Sequence, residues 1–168
     1  MKKYFILSVF LFLGTCLFAQ KLTYTERDQF PDAIAYNDYI VDMMDIIEEG
    51  WTLAIEEETS YRALEYADSL KTRSERIIAS LKKLQGYDGE TKFKQAALDY
   101  AIHMNNISKK ELPDFIRLIR IGELTESKRK EAKLLLPILD TKREKLFALI
   151  EKAQNAFAKK YHFKPVSK

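Results

Sequence analysis

The sequence predicts an all-α protein folded as an up-down-up-down four-helix bundle, and two observations lead to this prediction. The chain of 168 residues has only five glycines and four prolines while 32% of its residues are charged, a composition typical of long helices. Apolar residues also recur every three or four positions, as they do on the buried face of a helix. Short turns between such segments make neighbouring helices antiparallel, so the up-down-up-down order is the simplest arrangement.

The first two helices are marked by their starting residues and their apolar stripes. Pro31-Asp32 suits the start of helix one, with proline in the first position and an acid near the positive helix end. Thr59 or Ser60 can cap helix two after helix one frays near residues 56–59. The predicted buried positions of helix two are Ala63, Ala67, Leu70, Ser74, Ile77, Leu81 and Leu84.

The clearest turn of the chain, at residues 86–89, separates these helices from the second pair. Helix three is predicted as one element from near Phe93 to Gly122, and helix four starts at Thr125 or Ser127. We expect residues 162–168 to form a loose tail. The predicted buried positions of helix four are Ala132, Leu135, Leu139, Leu146, Leu149, Ala153 and Phe157.

Charges are distributed unevenly along the chain. Residues 31–58 contain nine acids and no lysine or arginine, whereas residues 125–164 contain eleven bases against five acids. Helix one of such a bundle lies beside helices two and four, so acids would face bases, which favours this arrangement although exposed pairs are individually weak. Calcium loops alternate their acids around a glycine bend, so we interpret the run Glu48-Glu49 as a solvated face.

The first nineteen residues predict export. Lys2 and Lys3 precede an apolar run at residues 4–12, and the small residue Ala19 ends a segment too short to span a membrane stably. We therefore expect a signal peptide at 1–19 and a single helical-bundle domain with short flexible ends at 20–168. Without the two lysines the formal charge falls from +3 to near +1, which gives no electrostatic case for a nucleic-acid partner.

Cys16 leaves a second possibility open. Ordinary cleavage after Ala19 removes this only cysteine and starts the mature chain at Gln20. Alternatively, residues 13–16 form a lipobox, and Cys16 becomes a lipidated N-terminus that anchors the protein to a membrane. We expect membrane contact only in this second case.

No residue pattern predicts catalysis or a cofactor. Di-iron bundles need Glu-x-x-His on two helices, and this sequence contains no such motif. We expect no enzymatic activity, no haem and no stoichiometric metal. His103 follows Asp99 by four residues, and we interpret the two as an exposed pair on a helix face rather than as a general base with its acid.

Four residues of the second helix pair predict a binding groove. Glu111 and Lys142 fall on predicted core stripes, where they either line a polar pocket or reach solvent from a widened bundle. Pro113 and Pro137 each remove a backbone hydrogen bond and kink or break their helices. The two prolines lie at similar heights when counted back from the turn between them, so two bends would open a groove between helices three and four.

The stretch Ala35-Tyr36-Asn37-Asp38-Tyr39-Ile40-Val41, at the start of a long helix, resembles the opening of a family of exported helical-bundle surface proteins. That family is poorly characterised and belongs to Bacteroidota and related bacteria, with YiiG-like lipoproteins as loose relatives. The signal-peptide exit at residues 17–20 is similar to exits common in Bacteroidota. The resemblance implies an exported bundle and implies no mechanism.

Two functions are therefore expected. The first is a non-enzymatic protein of the periplasm, cell surface or extracellular space that contacts an envelope protein or a cell-wall component. The second is a bundle that binds a small ligand or metal in a pocket between helices three and four. An exposed apolar patch over a filled core favours the first function, and a large cavity with convergent polar groups favours the second.

Overall fold

The computed structural model describes residues 30–165, apart from the side chain of Leu136, and this part of the chain contains helices and no strands. Its helices are α1 (Ala33–Glu56), α2 (Ser60–Lys83), α3 (Lys92–Lys109), α4 (Glu111–Arg120) and α5 (Glu126–Lys160). The all-α prediction is confirmed, with one helix more than expected in the described part. The predictions for the signal peptide and Cys16 fall outside the described residues.

Both ends of α1 are fixed by side chains. The Asp32 carboxylate accepts a hydrogen bond of 2.8 Å from the backbone N–H of Ala35 and caps the helix. The helix therefore begins two residues after Pro31, which was predicted to be its first residue. The last turn of α1 contains no basic residue. Arg120, at the end of α4, supplies one instead and donates to the carbonyl of Ile55, an acceptor without an intrahelical partner.

The apolar stripes of α2 and α5 agree with their predicted positions to different extents. All seven positions predicted for the inner face of α2 are buried, six of them in α2 and the seventh, Leu84, at the cap that follows it. The one polar residue among them, Ser74, donates to the carbonyl of Leu70 at 2.7 Å. In α5 the prediction for Leu149 is wrong: Ile150 is buried and Leu149 is exposed, because a helical repeat of 3.6 residues drifts away from a seven-residue count.

The predicted helix three is in fact two helices, and Pro113 explains where the second begins. Lys110 separates α3 from α4 with a non-helical backbone conformation, φ −140° and ψ −65°. Pro113 then lies in the first turn of α4, where a missing N–H removes no intrahelical hydrogen bond. Pro137 lies inside α5, which continues from Glu126 to Lys160.

The break between α3 and α4 makes α3 the central helix. α3 packs against all four other helices, and α4 packs against α2, α3 and α5. As a result, seven of the nine residues from Tyr100 to Ser108 are buried, and only Ile102 and Asn106 are exposed. A strict four-helix bundle would leave more of α3 exposed to solvent. Polar residues of this segment are therefore buried where the sequence predicted exposure.

Candidate functional site

A groove of about 870 Å³ runs between α3 and α5, at the end of the bundle where α3 begins and α5 ends. Its α5 wall extends from Leu146 to Lys160, which at 1.5 Å per residue is about 21 Å. The sequence predicted a pocket between these two segments but placed it at the opposite half. None of Glu111, Pro113, Pro137 and Lys142 lines the groove.

The lining of the groove combines apolar side chains with five charged ones. Small side chains come from Ala96, Ala153 and Ala156, and larger apolar ones from Leu146 and Leu149. Leu149 is 53% exposed, although it is a large apolar side chain. The charged lining residues are Lys92, Lys152, Lys160, Glu90 and Asp99.

Phe157 closes one end of the groove and lies at the centre of an aromatic cluster. Its ring is 4.7–6.0 Å from five other rings and is almost fully buried. These rings come from α1, the turn before α3, α3 itself and the end of α5, so the cluster joins distant parts of the chain. The five partners are Tyr36, Tyr87, Phe93, Tyr161 and Phe163.

The end of α5 is held against this cluster by a Schellman cap. His162 adopts a left-handed conformation with φ 60°, and the N–H of Phe163 bonds the carbonyl of Ala158 at 3.1 Å. The ring of Phe163 then packs on Phe157. The predicted loose tail is therefore wrong for its first two residues.

The Tyr36 hydroxyl and the Glu90 carboxylate, both near the aromatic cluster, are partly or fully buried. Burial, assisted by the charge of Glu90, raises the pKa of Tyr36 to about 12, and the Tyr36 hydroxyl donates to the carbonyl of Gln85 at 3.3 Å. Glu90 accepts a 2.8 Å hydrogen bond from the N–H of Lys92 through Oε1. Its other oxygen, Oε2, is buried with no hydrogen-bond partner among the described residues. Such an oxygen is an acceptor that a bound donor would satisfy.

The four residues predicted to form a groove have different surroundings. Glu111 and Pro113 are half-buried, whereas Pro137 and Lys142 are exposed. The exposure of Lys142 agrees with the alternative in which its side chain reaches solvent and does not agree with the polar pocket. The binding role of these four residues stays a prediction, but Glu111 and Lys142 both act electrostatically on His103.

His103 is buried, and its interpretation as an exposed partner of Asp99 is wrong. Only 7% of its surface is exposed, because α3 is covered on most sides here. Asp99 instead accepts a 2.8 Å hydrogen bond from Gln95. Nε2 of His103 has no hydrogen-bond partner within residues 30–165. Burial lowers the pKa of His103 and Lys142 lowers it further, while the pKa-raising effect of Glu111 is smaller.

We expect His103 to make the protein less stable in mild acid. Its pKa is lower in the folded state than the usual value of about 6.5, so the unfolded state binds more protons below that pH. The stabilising contribution is complete above about pH 6.5 and is lost as the pH falls toward the folded pKa. Urea unfolding of wild type and His103→Gln at about pH 5 and about pH 7.5 measures this loss.

The variant His103→Gln should show the weaker dependence on pH. His162→Gln is the matched control, because His162 is exposed and lies far along the chain on the α5 cap. If His103→Gln and wild type lose the same stability between the two pH values, the buried histidine is not the group responsible.

A half-buried ion pair joins three helices beside the groove. Glu48 of α1 contacts Arg143 of α5 at 2.8 Å and accepts a hydrogen bond from the hydroxyl of Tyr100 on α3. The Arg143 guanidinium also lies 5.2 Å from the centre of the Trp51 ring, a cation–π contact. The interpretation of Glu48 as part of a solvated face is therefore wrong.

Glu49, the neighbour of Glu48, is exposed and pairs with Arg73 of α2 at 3.2 Å. The acids of α1 thus meet bases on both α2 and α5, as the charge distribution predicted.

The described part of the chain lacks both a metal-binding cluster and a membrane-spanning helix. Residues 30–165 contain no group of three or more histidines, cysteines or acids arranged to hold a metal ion. None of the helices in this part is long and apolar enough to cross a membrane.

The chain matches no protein-family model, no curated protein and no solved structure. Its function therefore has to be inferred from its own geometry.

Proposed function

We propose that this protein is a non-enzymatic binding protein of the cell envelope that holds a helical segment of a partner protein in the groove between α3 and α5. The observation that carries the proposal is an open groove between two helices, in which three alanines and two leucines form most of the apolar lining and lysines and acids form much of the rest. Proteins commonly bind amphipathic helices in such grooves, where apolar side chains of the ligand contact the apolar lining.

The dimensions of the groove suit a helical ligand. A wall of about 21 Å corresponds to about 14 residues, or about four helical turns. Ala96, Ala153 and Ala156 add little bulk, so the backbone of a third helix can approach closely. Leu149 would lose its exposed apolar surface on contact with the ligand, which supplies a hydrophobic driving force.

The charges of the groove define the chemistry of the partner. Lys92, Lys152 and Lys160 favour acidic residues beside the apolar stripe of the ligand. Glu90 offers a buried acceptor, so the ligand should present a donor at that end. We propose that the groove binds its ligand without catalysis.

The location and topology are part of the same proposal. Export to the periplasm, cell surface or exterior follows from the signal peptide predicted at 1–19, and an envelope protein or a cell-wall component is the expected partner. We propose that α1, α2, α3 and α5 follow the up-down-up-down order and that α4 is an addition produced by the break at Lys110.

A small ligand is the second candidate occupant of the groove. The volume of about 870 Å³ falls within the range of about 300–1,000 Å³ typical of small-molecule sites. This candidate differs from the first in the mass of what is bound.

A photo-crosslinking amino acid at position 149 tests both candidates in cells that produce the protein. We expect an adduct of protein mass from position 149 and none from position 61, because Tyr61 is exposed on α2 away from the groove. The added variant Ala156→Trp should abolish the adduct by filling the groove.

No protein adduct at position 149, or an adduct that persists in Ala156→Trp, would contradict the proposal. A small molecule retained by the wild type in native mass spectrometry and lost from Ala156→Trp would favour the second candidate.

A further inference from the structure

The outward face of α5 forms a second surface, which we call the α5 crest: Lys130, Leu134, Ile138, Lys145, Lys152 and Lys159. These residues are spaced by four or seven positions, so they share one side of the helix. All of them are exposed, and the apolar members are among the most exposed large side chains, Leu134 at 73% and Ile138 at 49%.

The α5 crest is predominantly basic. Glu131, which is exposed and precedes Ile138 by seven positions, is an acid on the same side of the helix. The four lysines of the crest form no ion pair with any residue of the described part of the chain. Three other acids of α5 lie on a neighbouring flank: Glu151 lines the hollow between α1 and α5, and Asp140 and Glu144 share its side of the helix. Four lysines against the one acid Glu131 leave this face with a net charge of +3.

We propose that the α5 crest docks on the surface of an anionic phospholipid bilayer. Lysines near such a surface are attracted by its headgroups, and exposed leucine and isoleucine side chains can enter the boundary of the acyl region. Leu134 and Ile138 lie between Lys130 and Lys145, so both kinds of contact occur along one line. From Lys130 to Lys159 this line is about 44 Å long.

The shape and composition of the crest favour a bilayer over other anionic partners. The crest is the convex side of one helix and contains no tryptophan, tyrosine or arginine, the residues that most often anchor protein interfaces. A soluble polyanion would attract the lysines but would leave Leu134 and Ile138 in water. Lys152 belongs both to the crest and to the lining of the groove, so it is left unchanged in the tests. The proposal does not depend on lipidation at Cys16.

Sedimentation with vesicles tests the proposal on the exported protein carrying Cys16→Ser, which excludes a lipid anchor. We expect binding to phosphatidylcholine vesicles containing phosphatidylglycerol, and at least about tenfold weaker binding to phosphatidylcholine alone. Lys130→Glu with Lys145→Glu should lower the first affinity by at least about tenfold. Lys82→Glu with Lys83→Glu is the charge-matched control, since both lysines are exposed on α2.

The apolar residues are tested separately from the charge. Leu134→Ser with Ile138→Ser should weaken vesicle binding while leaving binding to polyphosphate unchanged, and Tyr61→Ser should alter neither. Circular dichroism verifies that each variant is folded. Binding to polyphosphate but not to anionic vesicles would overturn the proposal, as would crest variants that bind vesicles like the wild type. Neither result would bear on the groove, because Lys152 is left unchanged.

Discussion

Replacing Phe157 with alanine should lower the free energy of unfolding by about 3–5 kcal/mol, as expected for removal of a buried aromatic side chain. The ring is almost fully buried and contacts five other aromatic rings. Its removal therefore costs transfer free energy and leaves a cavity, because rings held by α1, the turn before α3 and the α5 cap cannot all move inward. Aromatic pairs add about 0.5–1.5 kcal/mol beyond the area they bury.

Urea unfolding followed by circular dichroism measures the effect of Phe157→Ala. Phe157→Leu should cost less, because it keeps part of the volume. Tyr61→Ala, at an exposed position of α2, should change the stability by no more than about 0.5 kcal/mol. A loss below about 1 kcal/mol for Phe157→Ala would mean that the aromatic cluster is not packed as described.

Replacing Arg143 with methionine should lower the free energy of unfolding by about 1–3 kcal/mol. The change keeps much of the side-chain volume but leaves the Glu48 carboxylate half-buried with Tyr100 as its remaining partner. It also removes the cation–π contact with Trp51. Because the pair is only partly buried, the expected loss lies below the 3–5 kcal/mol typical of fully buried pairs.

A double-mutant cycle measures the interaction energy between Glu48 and Arg143. Glu48→Gln combined with Arg143→Met should cost less than the sum of the two single changes, since no unpaired charge remains. Arg73→Met is the matched control on an exposed pair and should cost no more than about 1 kcal/mol. Additive losses in the Glu48–Arg143 cycle would show that the two side chains do not stabilise each other.

The features that could be predicted from the sequence are those fixed by local chemistry. Asp32 and Thr125 begin their helices because their side chains accept hydrogen bonds from the first turn. The inner face of α2 was predicted correctly because one stripe of the helix faces the core along its whole length.

The features that were missed depend on the packing of several helices. Pro113 is compatible with a kink or with a new helix start, and the sequence alone did not decide between them. Once α4 forms, α3 is covered and His103 is buried, so the histidine could not be placed without first placing the break. Glu111 and Asp114, acids in the first turn of α4, are the one local indication of a new helix.

The groove and the α5 crest differ in how readily the sequence alone predicts them. The groove is lined mainly by alanine, leucine and lysine, which are common on any amphipathic helix, so its position depends on how α3 and α5 pack. The α5 crest can be found from the sequence more directly, because Leu134 and Ile138 lie between Lys130 and Lys145 on a side of the helix away from Leu139. The sequence predicted membrane contact only through Cys16, because these two side chains were not assigned to an outer face.

The aromatic cluster also determines when the fold can be completed. Tyr36, near the start of α1, packs on Phe157, and Asn37 accepts a hydrogen bond from Gln154, 117 positions further along the chain. Contacts so distant in sequence require closure of a long loop, which slows folding. During synthesis, α1 therefore lacks its contacts with Gln154 and Phe157 until nearly the whole of α5 has been made. Maturation of the bundle is tied to the last helix, and chains that stop short of Phe157 leave Tyr36 without the ring that covers it.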